Sequence, residues 1–166
     1  MRDPITIRPA SRDDVPLVLQ FIRDLARYER LEHEVSASEA GLTEALFGER
    51  RYAEVVFACS GGTPVGFALF FHNFSTFKGR PGIYLEDLYV RPEARGRGIG
   101  KRLLAHLART ALERRCARLE WAVLEWNTPS IGFYQSLGAV VMDDWRIFRL
   151  TGEPLTLLAG SAPADH

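Results

Sequence analysis

The sequence predicts an α+β fold, a three-layer arrangement in which helices cover both faces of one mixed central sheet. Its segments follow one another as β, α, α, three strands, α, β, α and β, and two of the helical segments are amphipathic. A chain of 166 residues with 46% hydrophobic and 25% charged residues suits one globular core. We therefore expect one domain over residues 1–166, with a core from about 5 to 151 and a flexible tail from about 159 to 166.

The first predicted elements are a short strand and two helices. Residues 5–8 have the apolar alternation of a strand, and Ser11 with Asp14 forms a capping box for a first helix. Apolar residues then recur with helical spacing at Val15, Val18, Phe21, Ile22, Leu25 and Tyr28. A second helix is predicted from about 36 to 47, ending at Gly48.

Three strands are predicted next. Residues 51–60 and 64–73 are joined by Gly61 and Gly62, a dipeptide typical of tight hairpin turns. The third strand covers 83–90 and carries Glu86 and Asp87 at its centre. Carboxylates inside a strand require an explanation, because burying a charge is costly.

The remaining elements start with a long helix that follows Gly98. Its apolar face consists of Ile99, Leu103, Leu104, Leu107, Ala108, Ala111 and Leu112. A strand over 119–124 follows, then a helix that begins at Thr128 and Pro129 and ends before Gly138. Residues 140–151 are predicted to supply one or two final strands.

Charge and cysteine content narrow the function classes. Twenty-one basic residues balance 21 acidic ones, which gives no electrostatic reason to bind nucleic acid or an anionic membrane. The chain has no signal-peptide core and no apolar run of about 18 residues, so we expect a cytoplasmic protein. Neither Cys59 and Cys116 nor the four histidines have metal-ligand spacing, so we predict no metal.

A glycine-rich turn over residues 91–101 joins a strand to the long helix. Its backbone N–H groups and the helix N-terminus would together favour a pyrophosphate. The spacing fits neither a P-loop, because Arg95 and Arg102 stand where Gly and Ser or Thr are needed, nor a G-x-G-x-x-G fingerprint. The alternative is a tight turn whose charged side chains are merely solvated.

Two motifs taken together resemble the GNAT N-acetyltransferases. The run Arg95-x-x-Gly98-x-Gly100 resembles the acetyl-CoA pyrophosphate motif of that family, and residues 125–134, EWNTPSIGFY, follow at the matching place. Segments 26–29, 84–90 and 125–134 are similar to the diamine (spermidine/spermine) acetyltransferase branch, which includes relatives acting on thialysine. The resemblance covers about residues 5–150 and implies the GNAT fold, a sheet splayed where acetyl-CoA enters, and a homodimer. One departure is Thr76 before Phe77, where the polyamine enzymes have an acidic residue.

The resemblance also implies the site residues. Tyr134 takes the role of the general acid, and Glu86 is predicted to be the base, acting through a water. Strand alternation places Asp87 on the opposite face from Glu86. The expected cofactor contacts are Leu88, Tyr89, Val90, Arg95, Gly96, Arg97, Gly98, Ile99, Gly100, Lys101, Asn127, Pro129, Ser130 and Tyr134. The expected substrate contacts are Tyr28, Glu29, Glu86, Asp87, Glu120, Trp121 and Ala122.

Structural interpretations of the same residues stay open. Tyr134 would otherwise be an aromatic core residue of its helix, and Asn127 only a helix cap. Glu86 and Asp87 would otherwise be edge-strand carboxylates paired with arginines. These alternatives predict the same fold but no acetyl transfer.

The function predicted is transfer of acetyl from acetyl-CoA to a primary amine of a small cationic substrate, a polyamine or a thialysine-like amino acid. Neither cysteine is at a matched catalytic position, so direct attack in a ternary complex is expected. Two alternatives use the same cofactor site: a protein or peptide N-acetyltransferase, and a non-catalytic CoA-binding sensor.

Overall fold

The computed structural model describes residues 3–163, which separate into two compact units divided between Leu124 and Glu125. The first unit contains all the described strands and three α-helices, and the second contains two α-helices. The predicted single domain over 1–166 therefore stays a prediction.

The first unit is built on a five-stranded sheet in the order β1-β2-β3-β4-β5. Its strands are β1 Ile5–Pro9, β2 Glu54–Ser60, β3 Thr63–Ser75, β4 Arg80–Val90 and β5 Leu119–Trp121. The first four pair antiparallel and β4 pairs with β5 in parallel, so the predicted mixed sheet is confirmed. The predicted Gly61-Gly62 turn lies between β2 and β3, where both glycines adopt positive φ angles of 56° and 85°.

Helix α1, Val15–Tyr28, packs on one face of this sheet. Both hydrogen bonds of the predicted Ser11–Asp14 capping box are present before it. Phe21 is fully buried and lies against Phe57 and Phe67, with ring centroids 5.8 and 5.1 Å away. Helix α2, Glu39–Phe47, packs beside α1 and begins at its N-cap Ser38, later than predicted.

Helix α3, Ile99–Glu113, covers the other face. Its predicted apolar ridge is buried at Ile99, Leu103, Leu104, Leu107 and Ala111, but Ala108 is exposed and Leu112 is 78% exposed. Gly66 of β3 lies close to β4 and to this helix, since a Cβ there would lie 3.0 Å from the Tyr89 carbonyl oxygen and 3.4 Å from the Ile99 side chain. The neighbouring Phe67 points to the α1 face, which is the alternation expected along a strand.

The second unit contains α4, Thr128–Ser136, and α5, Gly152–Gly160. The prediction of one or two strands over 140–151 is wrong, because none of these residues is in a strand. A strand needs a neighbour for its backbone hydrogen bonds, and no strand is among the described residues of this unit. Residues 159–160 of the predicted flexible tail belong to α5, and 164–166 lie outside the described residues.

Candidate active site

Strand β4 changes its pairing at Glu86. Leu85 pairs with Phe70 of β3 and Asp87 with Leu69, so Glu86 is an extra residue in a β-bulge. On the other side β4 pairs with β5 only over Ile83–Leu85, because β5 ends at Trp121. From Glu86 to Val90, therefore, β4 has a strand partner on one side only within the described chain. This opening on the β5 side is what the predicted splay requires.

Three carboxylates lie within electrostatic reach of one another at this bulge. Burial, and then the charges of Glu86 and Glu29, raise the pKa of Asp87 to about 7. Burial and the charge of Glu86 also raise the pKa of Glu29, the residue that caps the end of α1. Glu86 itself is exposed. The three acids interact through their charges, while the placement of Asp87 on the face opposite Glu86 stays a prediction.

The glycine-rich turn connects β4 to α3 as predicted. Gly96 and Gly98 have φ angles of 74° and 71°, a region that side chains rarely adopt, and Gly98 is the N-cap of α3. The first helical hydrogen bond runs from the Arg102 N–H to the Gly98 carbonyl. The N–H groups of Ile99, Gly100 and Lys101 are thus left for an acceptor outside the helix.

The arginine side chains of this turn lie against protein groups. The Arg95 guanidinium lies over the rings of Tyr28 and Tyr89, 5.0 and 5.4 Å from their centroids, and its Nε donates to the Val90 carbonyl at 2.9 Å. Arg97 reaches the Ser60 hydroxyl at 3.1 Å through Nη2. In this arrangement the backbone of the turn, more than these two side chains, is available to a phosphate.

An open groove of about 470 Å³ lies between α1 and the start of this turn. Its lining residues are Asp24, Arg27, Tyr28, Tyr89, Arg91, Pro92, Glu93 and Arg95. Three of them are arginines and two are acids, so the groove carries both signs of charge. Residues 3–163 contain no group of three or more metal-ligand side chains placed to bind one ion.

The predicted substrate segment on β5 is held by neighbours. The Glu120 carboxylate accepts from Arg118 Nε at 2.7 Å and from Asn73 Nδ2 at 3.0 Å. It lies opposite Tyr84 in the β4–β5 register, and burial, followed by the charges of Glu86 and Glu120, raises the pKa of the Tyr84 hydroxyl. Trp121 pairs with Leu85, and Ala122 follows the end of the strand.

The second unit carries the remaining predicted residues around the start of α4. Asn127 is at the N-cap position but its side chain makes no capping hydrogen bond, and Pro129 is in the first turn with Ser130 after it. Tyr134 is half-buried, with its ring 5.5 Å from that of Phe133. The structure thus brings Glu29, Glu86 and Asp87 together in one unit, and Tyr134 belongs to the other.

Three features of the site went unpredicted. The Glu86 bulge leaves no mark in the sequence except the two central carboxylates. The Arg95 stacking was missed because Tyr28 is 67 positions away in the chain. Asn73 and Arg118, which hold Glu120, lie on a strand and a loop and gave no motif.

Comparison with known proteins identifies relatives of this chain. The Acetyltransferase (GNAT) family profile matches residues 19–139. A thialysine N-epsilon-acetyltransferase of Bos taurus is 40% identical over 94% of this chain and 98% of its own. An L-ornithine N5-acetyltransferase of Arabidopsis thaliana is 31% identical over 90% and 85%. A human spermidine/spermine N(1)-acetyltransferase-like protein is 31% identical over 95% of this chain but only 24% of its own.

A solved structure shares the fold of this chain. An integron cassette protein from the mobile metagenome of V. cholerae superposes with a TM-score of 0.79 and 30% identity, covering 95% of this chain and 98% of the other. The family profile covers most of the chain, and curated relatives match it over nine tenths of its length. This chain therefore belongs to the acetyltransferase (GNAT) family.

Proposed function

We propose that this chain acetylates a primary amine of a small cationic substrate, a thialysine-like amino acid or a diamine. The reaction type follows from the family and from relatives of matching length: the chain is an amine N-acetyltransferase, and the family's donor is acetyl-CoA. The observation that carries the substrate class is the cluster of Glu29, Glu86 and Asp87 beside the one-sided half of β4. Adjacent carboxylates attract an ammonium group, which relieves their mutual repulsion.

The residues of the first unit fit acetyl-CoA. The backbone groups of Leu88, Tyr89 and Val90 alternate between β3 and the side of β4 that lacks a strand, and we assign those on the free side, apart from the Val90 carbonyl that accepts from Arg95, to the amide-containing pantetheine arm. The N–H groups at the start of α3, with the open conformations of Gly96 and Gly98, suit the pyrophosphate. We assign Asn127, Pro129 and Ser130 to the cofactor arm from the family resemblance. When bound, acetyl-CoA supplies the activated acetyl group as a thioester.

The acceptor amine needs a base and the leaving group needs an acid. An alkylammonium has a pKa of about 10.4, so we assign Glu86, exposed at the bulge, to take its proton through a water. The neutral nitrogen then attacks the thioester carbonyl carbon, and a backbone N–H of β4 near Leu88 stabilises the oxyanion. As the C–S bond breaks, the Tyr134 hydroxyl donates its proton to the departing sulfur, and the proton that the acylated nitrogen then loses passes through solvent and restores the Tyr134 hydroxyl.

We assign Glu29 and Asp87 to bind the amine substrate before acetyl transfer. We assign their carboxylates to the charged end of the substrate, and Tyr28, which precedes Glu29 at the end of α1, to the same side of the site. Glu120, already bound by Arg118 and Asn73, acts at longer range through its charge near Tyr84. Trp121 and Ala122 complete the acceptor side in this proposal.

We also propose a homodimer located in the cytoplasm. The second unit exposes apolar side chains in its 140–150 segment, including Val140 at 80%, Ile147 at 80% and Phe148 at 94%, and a second copy would cover them. Both cysteines are free and buried, as suits a reducing compartment. No helix over residues 3–163 is long and apolar enough to cross a bilayer. Sedimentation at micromolar concentration measures the dimer directly.

The function is tested by following CoA thiol release from acetyl-CoA. The acceptors are thialysine, ornithine, lysine, spermidine, putrescine and a lysine peptide, and Tyr134→Phe is measured beside the parent. We expect turnover of one small amine, and a kcat about 10²-fold lower in Tyr134→Phe because the sulfur then leaves unprotonated. CoA binding by calorimetry should be unchanged in that variant.

Two outcomes contradict the proposal. Turnover of the peptide alone would make the chain a peptide N-acetyltransferase. Tight CoA binding with no turnover of any acceptor would make it a CoA-binding sensor.

A further inference from the structure

Arg95 joins two elements that belong to different halves of the proposed site. Its guanidinium carbon lies 5.0 Å from the ring centroid of Tyr28, the last residue of α1, and 5.4 Å from that of Tyr89 on β4. Its Nε also donates to the Val90 carbonyl at 2.9 Å. The side chain is thus fastened to β4 twice and to the end of α1 once.

The end of α1 is a constrained turn that fixes where Glu29 lies. Arg30 adopts a left-handed conformation with φ 62°, which is uncommon for a residue other than glycine. The Leu31 N–H closes this turn on the Ala26 carbonyl at 2.8 Å, and Arg27 pairs with Glu32 at 2.9 Å across it. Any movement of Tyr28 therefore carries Glu29 with it.

Electrostatics oppose this placement of Glu29. Its carboxylate is near Glu86 and Asp87, and like charges in a partly buried cluster repel. With no ammonium between the acids, this repulsion acts against the packing of the end of α1 on β4. A contact that ties α1 to β4 counteracts it before the amine arrives.

We propose that Arg95 is a positioning residue that preorganises the amine site by holding the end of α1 against β4 through Tyr28. This role rests on the proposed function, and it differs from the phosphate contact predicted from the sequence. Preorganisation lowers the cost of ordering the site when the substrate binds, so it acts on amine affinity. The chemical step itself is left to the groups already assigned.

The experiment compares Arg95→Met, Tyr28→Leu and the double variant, with thiol release as the assay. We expect each single change to raise the amine KM about fivefold, with kcat and CoA affinity within about twofold of the parent. The double variant should be no worse than the larger single change, because both remove the same contact. Arg95→Lys, which keeps a cation over the two rings, should recover most of the loss.

Arg91→Met is the matched control. Arg91 belongs to the same turn and also lies over an α1 ring, 5.0 Å from the centroid of Phe21, but it does not reach the end of the helix. We expect its amine KM to equal that of the parent. An equal rise in this control would reduce Arg95 to one of several general packing contacts and overturn the proposal.

Other outcomes also overturn it. A tenfold loss of CoA affinity in Arg95→Met with an unchanged amine KM would make Arg95 a phosphate ligand. Additive effects on the amine KM in the double variant would mean that Arg95 and Tyr28 act independently. If the parent acetylates no amine, the proposed function has failed by itself. The Arg95–Tyr28 contact is then tested by the unfolding midpoints of the same proteins. A fall of about 2–4 °C in each single variant, with no further fall in the double variant, supports the contact, and a fall in the double variant equal to the sum of the two overturns it.

Discussion

The two halves of β4 are one continuous strand with opposite properties. Over Ile83–Leu85 the strand pairs with β3 and β5, and both of those terminal residues are at most 2% exposed. From Glu86 to Val90 it pairs with β3 alone and carries two carboxylates. The bulge at Glu86 marks the boundary between the doubly paired half and the half that carries the proposed base.

This division explains how carboxylates can occupy the middle of a sheet. The first half anchors the strand in the core, while the second half has no second partner strand among the described residues, so its carboxylates are not enclosed between two strands. A doubly paired second half would have no free backbone groups to offer a pantetheine arm. We therefore expect substitutions before the bulge to lower the stability of the fold and substitutions after it to lower activity.

The largest expected effect comes from Glu86→Gln. Removing the proposed base should lower kcat/KM by about 10²- to 10⁴-fold, because the amine then has no group to take its proton. The unfolding midpoint should stay near that of the parent, since Glu86 is exposed. Stopped assays of thiol release and thermal unfolding measure the two quantities on the same preparation.

Asp87→Asn is the matched comparison for that measurement. It removes a neighbouring carboxylate of the same cluster, and we expect mainly a higher amine KM. If Asp87→Asn lowers kcat more than Glu86→Gln does, the role of base passes to Asp87.

The next effect tests the other half of the strand. Leu85→Ala should lower the free energy of unfolding by about 2–5 kcal/mol, because Leu85 is 2% exposed and a cavity would remain. KM values of the folded fraction should be unchanged. Denaturant unfolding measures the loss, and Phe77→Ala, at a side chain that is 98% exposed, should stay within about 0.5 kcal/mol of the parent. A large rise in KM for Leu85→Ala would show that the two halves are not independent.

Most of the first unit was predictable because its signals are local. Helical spacing in α1 and α3, the Ser11–Asp14 box and the Gly61-Gly62 turn each depend on residues within a few positions of one another. The bulge at Glu86 was not predictable, because it depends on register against Leu69 and Phe70. The strands expected over 140–151 failed for a related reason: alternation indicates strand propensity but does not provide a partner strand.

The parts of the candidate site that lie within sequence motifs were predictable. Glu86 and the turn from Gly96 to Gly100 stand within recognisable segments, while the Arg95–Tyr28 contact joins distant ones. Arginine in such a turn suggests a phosphate ligand from its charge alone. Only the placement of the neighbouring rings gives it a different partner.

The buried acid makes stability depend on pH. The folded pKa of Asp87 is about 7, above its ordinary 3.8, so the folded state binds more protons between these values and stability falls as pH rises through them. Asp87→Asn removes this loss. The stability of Asp87→Asn relative to the parent should therefore increase by about 2–3 kcal/mol from pH 5 to pH 8. Unfolding in denaturant at the two pH values tests this, and a constant difference would contradict the raised pKa.

The smallest effect concerns the turn that leads into the stable half of β4. Thr76 and the exposed Phe77 lie in this turn, where the polyamine branch has an acidic residue before the aromatic one. Thr76→Asp should lower the KM for spermidine by about two- to threefold, since one exposed ion pair contributes well under 1 kcal/mol. The KM for thialysine should not change, and Thr76→Asn controls for the side-chain shape. Because the gain is electrostatic, it should disappear in 0.5 M salt, where the Debye length is about 4 Å. If the lower KM for spermidine persists in salt, or if Thr76→Asn reproduces it, the turn acts through its shape. The half of β4 before the bulge would then also contribute to substrate specificity.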